Sequence, residues 1–292
     1  MNLFKILSSK RCNLGEGPIW NAHERRLYYT NGYGADELCI YDFATDKLAV
    51  RKLPLAAAAY AFDTQNRLII SHADGVHILN DDDTLTPIYD NSIYKIEFAN
   101  DMKVGPDGAV YVGTQSRKRK KLSDDIDGKL YRISPDGEVE VLLDGLLLSN
   151  GMEWSLDETR FYHTDSDTGI IKEYFFDKKN GNIAFTGRET RVPGVDGFTI
   201  GEDGYLYVGW WGRGHIAVID TETMQIAKEI KIPAKVPSSC GFCGDNMDIL
   251  AITTVSDGHF TDVETDENAG YTILMRTNTS GREPYLFGDS TK

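Results

Sequence analysis

The chain has 292 residues, 41% of them hydrophobic and 11% aromatic, with a formal net charge of -14 and a pI near 4.9. That length and apolar content suffice for a large core in one all-β domain over 1–292, while the acidic field repels polyanions and excludes nucleic acid as a partner. No apolar run reaches the length needed to cross a bilayer, residues 1–7 are too short for a secretory signal, and Cys12, Cys39, Cys240 and Cys243 are too few for a disulfide scaffold, so reduced thiols, a cytoplasmic location and no membrane partner are expected.

A strand over 3–7 opens the chain and is predicted to pair with the last repeat, which removes exposed edges. Short strand-like segments then recur, centred on Tyr28, Ile69, Tyr111, Tyr162, Tyr207 and Ala251, at intervals of 41, 42, 51, 45 and 44 residues. This is the register of an all-β, six-bladed β-propeller with four-stranded antiparallel blades around a central channel. Within the repeats, second and third strands are predicted over 26–30 and 37–42, 67–71 and 75–79, 109–113 and 128–133, 160–164 and 169–174, 205–209 and 215–219, and 249–253 and 270–274. Tight turns such as Gly105-Pro106-Asp107-Gly108 and Gly201-Glu202-Asp203-Gly204 precede two of them, with glycine accepting positive φ and aspartate bonding its own backbone.

Between the elements, Asp81-Asp82-Asp83 lacks the spacing of an EF-hand and reads as a solvent-facing turn. The basic run 117–121 belongs to a loop; it is either simply solvated or overhangs an active mouth and attracts an anion. Trp210 and Trp211 read as packing between blades, with a pocket wall as the alternative. His72, His163 and His215 read as core or surface residues and His259 as part of a surface loop. Cys240 and Cys243 stand three apart on a strand and so face opposite ways, which argues against a redox pair, although Cys240 could line the channel beside Ser239.

Counting back 11 or 12 residues from each centre reaches Glu16, Ala57/Ala58, Asn100, Asn150, Asp196 and Ser239/Cys240. First strands of propeller blades line the channel, so these positions converge, and two carboxylates and two amides are too polar for a dry channel unless something satisfies them. One cation does so; oxygen donors alone favour Ca²⁺, Mg²⁺ or Mn²⁺ over a structural zinc. The alternative is that the four side chains cap strand ends and bind one another through ordered water.

Gly15-Glu16-Gly17-Pro18-Ile19-Trp20, Asn100-Asp101, Leu148-Ser149-Asn150-Gly151-Met152-Glu153-Trp154, Tyr162-His163-Thr164-Asp165-Ser166, Val195-Asp196-Gly197-Phe198 and Pro237-Ser238-Ser239-Cys240-Gly241-Phe242 resemble, in order and spacing, the gluconolactonase, regucalcin and luciferin-regenerating enzyme family over nearly the whole chain. The resemblance implies a propeller with one divalent metal, most often Ca²⁺ with Mg²⁺, Mn²⁺ or Zn²⁺ as alternatives, held by Glu16, Asn150 and Asp196. Asn100 would contact substrate or metal-bound water. The implied activity is hydrolysis of a sugar lactone or related cyclic ester, in which a Lewis acid polarises the carbonyl and a carboxylate accepts the proton from water. Asp196 is the candidate base with Asp101 in reserve, and Glu16 is primarily a ligand. Sugar-binding members carry an arginine where this chain has Phe98, which offers only an apolar face in place of a multi-donor guanidinium; either the substrate is less hydroxylated than gluconolactone or the basic run from Arg117 to Lys121 supplies the cationic contacts, and the favoured expectation is an unidentified lactone. Organophosphate hydrolysis on the same metal, and a non-catalytic calcium-binding propeller, are the rival expectations. The expected partner is a small-molecule lactone, and the expected state a monomer or weak homo-oligomer.

Overall fold

β-branched and aromatic runs punctuated by Gly and Asp turns yield strands throughout, with no helix among the described residues. The structure is a computed structural model that describes residues 3–32, 34–118, 126–256, 258 and 266–289. The opening strand β1 (Phe4–Leu7) is followed by β2 (Leu14–Asn21), β3 (Arg26–Gly32), β4 (Glu37–Asp42) and β5 (Lys47–Lys52), which form one sheet. A second sheet contains β6 (Ala57–Phe62), β7 (Leu68–His72), β8 (Gly75–Leu79) and β9 (Leu85–Pro87). The third contains β10 (Ala99–Val104), β11 (Val110–Thr114), β12 (Gly128–Ile133) and β13 (Val139–Leu146), and the fourth β14 (Ser149–Trp154), β15 (Arg160–Asp165), β16 (Ile170–Asp177) and β17 (Asn182–Arg191). The fifth is β18 (Val195–Ile200), β19 (Tyr205–Trp210), β20 (His215–Asp220) and β21 (Gln225–Lys231). The sixth joins β22 (Pro237–Cys243), β23 (Ile249–Thr254) and β24 (Thr272–Arg276) to β1.

All six sheets are four-stranded and antiparallel, which makes the chain an all-β, six-bladed propeller. The predicted pairing of the opening strand is present, with Phe4 opposite Met275 and Leu7 opposite Thr272. The predicted turns are present too: Gly108 and Gly204 have φ of 73° and 79°, and their N–H groups bond the carbonyls of Gly105 and Gly201 at 2.9 Å.

The chain divides into two compact units, one from Met1–Ala56 with Gly194–Pro284 and the other from Ala57–Pro193 with Tyr285–Lys292. In the first unit, Leu27, Tyr29 and Tyr41 share a core with Ile216, Phe242 and Ile273. There β22 lies between β18 and β2. In the second unit, Trp154 packs edge-on to Tyr111 at 4.8 Å between centroids and against Phe161 at 5.0 Å. Beside this cluster the Asp107 carboxylate accepts from Tyr111 Oη at 3.1 Å and Arg132 Nε at 2.8 Å, a buried ion pair that ties the turn before β11 to β12. Here β10 lies between β6 and β14. Each unit thus sets the first strands of its three sheets side by side.

Candidate functional site

The first strand of every sheet contains a β-bulge near its start. An extra residue there leaves the ladder and re-aims its side chain, which is how bulges come to mark sites. Asn100, Asn150 and Asp196 are each the first residue inside their bulge, and Glu16 is the last paired residue before its own. In the second and sixth sheets the bulged residues are Ala58 and Ser238. The latter corrects the counted position Ser239/Cys240: Pro237 pairs with Thr254 and Ser239 with Thr253, so the equivalent place lies one residue earlier.

In the first unit, Glu16 and Asp196 sit on the two strands that flank β22. Asp196 is only 6% exposed and Glu16 is half-buried. Close backbone approach makes this possible. A Cβ on Gly197 would lie 2.1 Å from Ser239 Oγ, and one on Gly241 would lie 2.4 Å from the Pro18 carbonyl oxygen. Gly17, next to Glu16, takes φ of 55°, the left-handed conformation that a bulge of this kind asks of glycine. Cys240 does not stand at the bulge with Ser238; it is buried in the core, with its Sγ donating to the Tyr207 carbonyl at 3.0 Å. All four cysteines are free and buried.

In the second unit, Asn100 is gripped twice. Its carbonyl accepts from Ser71 Oγ at 3.0 Å, and its Nδ2 donates to the Ser149 carbonyl at 3.1 Å. Asn150, the next residue of β14, is 7% exposed. Asp101 shares the β10 bulge and is half-buried, with Met102 N donating to its Oδ1 at 2.8 Å. Burial raises its pKa, and the Glu153 charge adds to the rise against the lowering effect of the Lys103 charge and the Met102 N–H. Phe98 is 38% exposed just before β10, at φ of 56°, held by its N–H on the Ala73 carbonyl at 2.7 Å and by Gln115 N on its own carbonyl at 3.0 Å.

Two features had no place in the sequence reading as site elements. Lys103 Nζ donates to Glu153 Oε2 at 2.9 Å, a buried carboxylate on a first strand whose residues are all buried. Ser149 Oγ and His163 Nε2 lie 2.7 Å apart, both residues buried. Burial and the nearby Lys172 charge hold His163 down to a pKa of about 3, so the ring is neutral. The signal for both was a polar residue on a strand of core character. His72 is likewise in the interior, with Nε2 2.8 Å from His77 Nδ1.

Asp81, Asp82 and Asp83 are exposed in the β8–β9 turn, as expected. Trp210 is buried at the end of β19, with the Arg213 guanidinium 5.6 Å from its ring. Of the basic run 117–121, Arg117 donates from Nε to Asp127 Oδ2 at 2.9 Å; residues 119–121 lie outside the described residues, as does His259. No helix among the described residues is long and apolar enough to cross a membrane.

Glu16 and Asp196 in the first unit carry carboxylates and Asn150 in the second a carboxamide, the oxygen chemistry that hard cations take. Among the described residues no three His, Cys, Asp or Glu side chains gather as a metal site.

The chain is 29% identical over 285 residues to YvrE of Bacillus subtilis, covering 95% of this chain and 96% of that one. It is 28% identical over 270 residues to the pentonolactonase XacC of Haloferax volcanii, covering 89% and 88%. Among solved structures, a calcium-binding regucalcin from Agrobacterium tumefaciens superposes with a TM-score of 0.83 at 22% identity, over 97% of this chain and 96% of that one, and so shares the fold. Residues 14–256 match the SMP-30/Gluconolactonase/LRE-like region, and the chain belongs to that family.

Proposed function

We propose that this protein is a divalent-metal-dependent hydrolase that opens a lactone, a sugar lactone or a related cyclic ester, with Glu16, Asn150 and Asp196 holding the ion. The observation that carries the reading is the recurrence of a carboxylate or carboxamide side chain in four sheets, inside the first-strand bulge at Asn100, Asn150 and Asp196 and immediately before it at Glu16. Family membership and the pentonolactonase relative support the lactone. Oxygen donors support Ca²⁺ ahead of Mg²⁺, Mn²⁺ or Zn²⁺, in keeping with the calcium-binding description of the Agrobacterium regucalcin. When bound, such an ion supplies Lewis-acid polarisation of the carbonyl and a lowered pKa for water.

The chain's own residues do the rest. Asp196 accepts the proton released by the attacking water, with Asp101 as the reserve base. Asn100 donates its Nδ2 to Ser149, which leaves its Oδ1 to face a substrate hydroxyl or a water molecule. Phe98 presents an apolar face, which suits a substrate with fewer hydroxyls than gluconolactone.

The test is a panel of lactones, with a fluorophosphate as an added arm, followed by proton release before chelation, after it, and with single divalent ions restored. Asp196→Asn and Glu16→Ala should each lower turnover by about 10²-fold or more while the protein stays folded. Full activity in both variants, or activity untouched by chelation, rejects the reading.

A further inference from the structure

A bulge frees its residues from the ladder, so their direction must be set by what grips either side. On β14 the ladder pairs are Ser149 with Asp165 before the bulge and Met152 with His163 after it. His163 is therefore the ladder partner on one side of the bulge, and its ring reaches back to the residue on the other: Nε2 lies 2.7 Å from Ser149 Oγ. One side chain spans the bulge that displays Asn150. The same serine uses its carbonyl to hold the Asn100 amide at 3.1 Å. Space for the hydroxyl exists only because position 113 is glycine, since a Cβ there would lie 2.1 Å from Ser149 Oγ.

The third and fifth sheets solve the same packing problem without polar groups. At the two corresponding positions the third sheet has Ala99 and Val112 and the fifth has Val195 and Val208. A buried hydroxyl–imidazole pair is no better than an apolar pair for stability alone, so its presence here asks for a directional role.

We propose that His163 and Ser149 form a clamp across the β14 bulge that sets the direction of Asn150 and, through the Ser149 carbonyl, that of Asn100. His163 is then a positioning residue of the candidate centre. The inference rests on the metal reading given above, and Asn150 is its point of contact with that reading.

The test is isothermal titration of the full-length, chelator-treated protein with Ca²⁺, with Mg²⁺ and Mn²⁺ in parallel, for the parent, His163→Ala, His163→Gln and Ser149→Ala, each with a melting curve. The clamp predicts an affinity loss of about 10- to 100-fold in His163→Ala and Ser149→Ala, the usual effect of removing a group that orients a ligand. It also predicts substantial recovery in His163→Gln, whose carboxamide can still bond the hydroxyl. If His163→Ala does not fold, Ser149→Ala decides, because it removes a single oxygen atom. Variants that melt earlier but bind within twofold of the parent would overturn the clamp and leave the metal reading standing. A parent that binds no divalent ion overturns both.

Discussion

Replacing Gly113 with alanine isolates the packing behind the β14 bulge. Gly113 sits in β11 without a left-handed φ, so alanine meets no backbone penalty there and even gains about 0.5–1 kcal/mol over glycine in a strand. The obstacle is Ser149, whose Oγ and Cβ would lie 2.1 and 2.5 Å from the new Cβ, far inside the ~3.5 Å at which carbon contacts become favourable. The serine must withdraw by about 1 Å or more, which breaks its 2.7 Å bond to His163. Two buried polar atoms left unpaired cost about 1–3 kcal/mol, and forced overpacking adds about 1–3 kcal/mol. The net expectation is a loss of about 1–5 kcal/mol in urea unfolding followed by tryptophan fluorescence. In a double-mutant cycle with Ser149→Gly, which removes both clashing atoms, the combined loss should fall short of the sum by about 1 kcal/mol or more. Additive losses, or a single-variant loss below about 1 kcal/mol, would refute the steric account.

Other expectations rest on the buried charges and rings. Asp107→Asn removes the carboxylate from an Arg132 side chain that is only 11% exposed; the loss should be about 3–5 kcal/mol by thermal melting, and a loss below about 1 kcal/mol would mean that exposed Glu140, the other partner of Arg132, suffices. Burial lowers His72 to a pKa of about 4, with the His77 charge adding to the shift, and holds His163 near 3, against an ordinary value of 6.5. Because the folded rings resist protonation, their contribution is complete above pH 6.5 and is lost as pH falls through that value toward the folded ones, by about 2 kcal/mol per ring at pH 5. Equal urea midpoints at pH 7 and pH 5 would contradict this.

The six centres from Tyr28 to Ala251 were legible because each second strand is a compact apolar run with its turn chemistry beside it, as at Asp203-Gly204, and the opening strand was legible because Phe4, Ile6 and Leu7 need a sheet to cover them. Outer strands were harder to read: Gln225–Lys231 is mostly exposed, so little apolar patterning constrains it. The bulged positions of Asn100, Asn150 and Asp196 could be counted from the repeat, but Ser238 could not. A count along the chain does not register where the ladder slips, and in the sixth sheet the slip lies between Pro237 and Ser239. The Ser149–His163 clamp was hidden for a related reason: its partners are 14 residues apart and meet only because the bulge folds one toward the other.

The pairing of β1 with β24 has a consequence for biosynthesis. Phe4 leaves the ribosome about 270 residues before its partner Met275, an interval of roughly 15–50 s at ordinary rates of translation. Five sheets can form from consecutive sequence during that time, while the first strand made waits for the last. Its Lys5, placed between Phe4 and Ile6, is the type of charge that keeps an unpaired edge from capturing a wrong neighbour. Completion of the sixth sheet thus waits until Thr272–Arg276 has been made, and a nascent chain arrested before Thr272 would carry an unmatched β1.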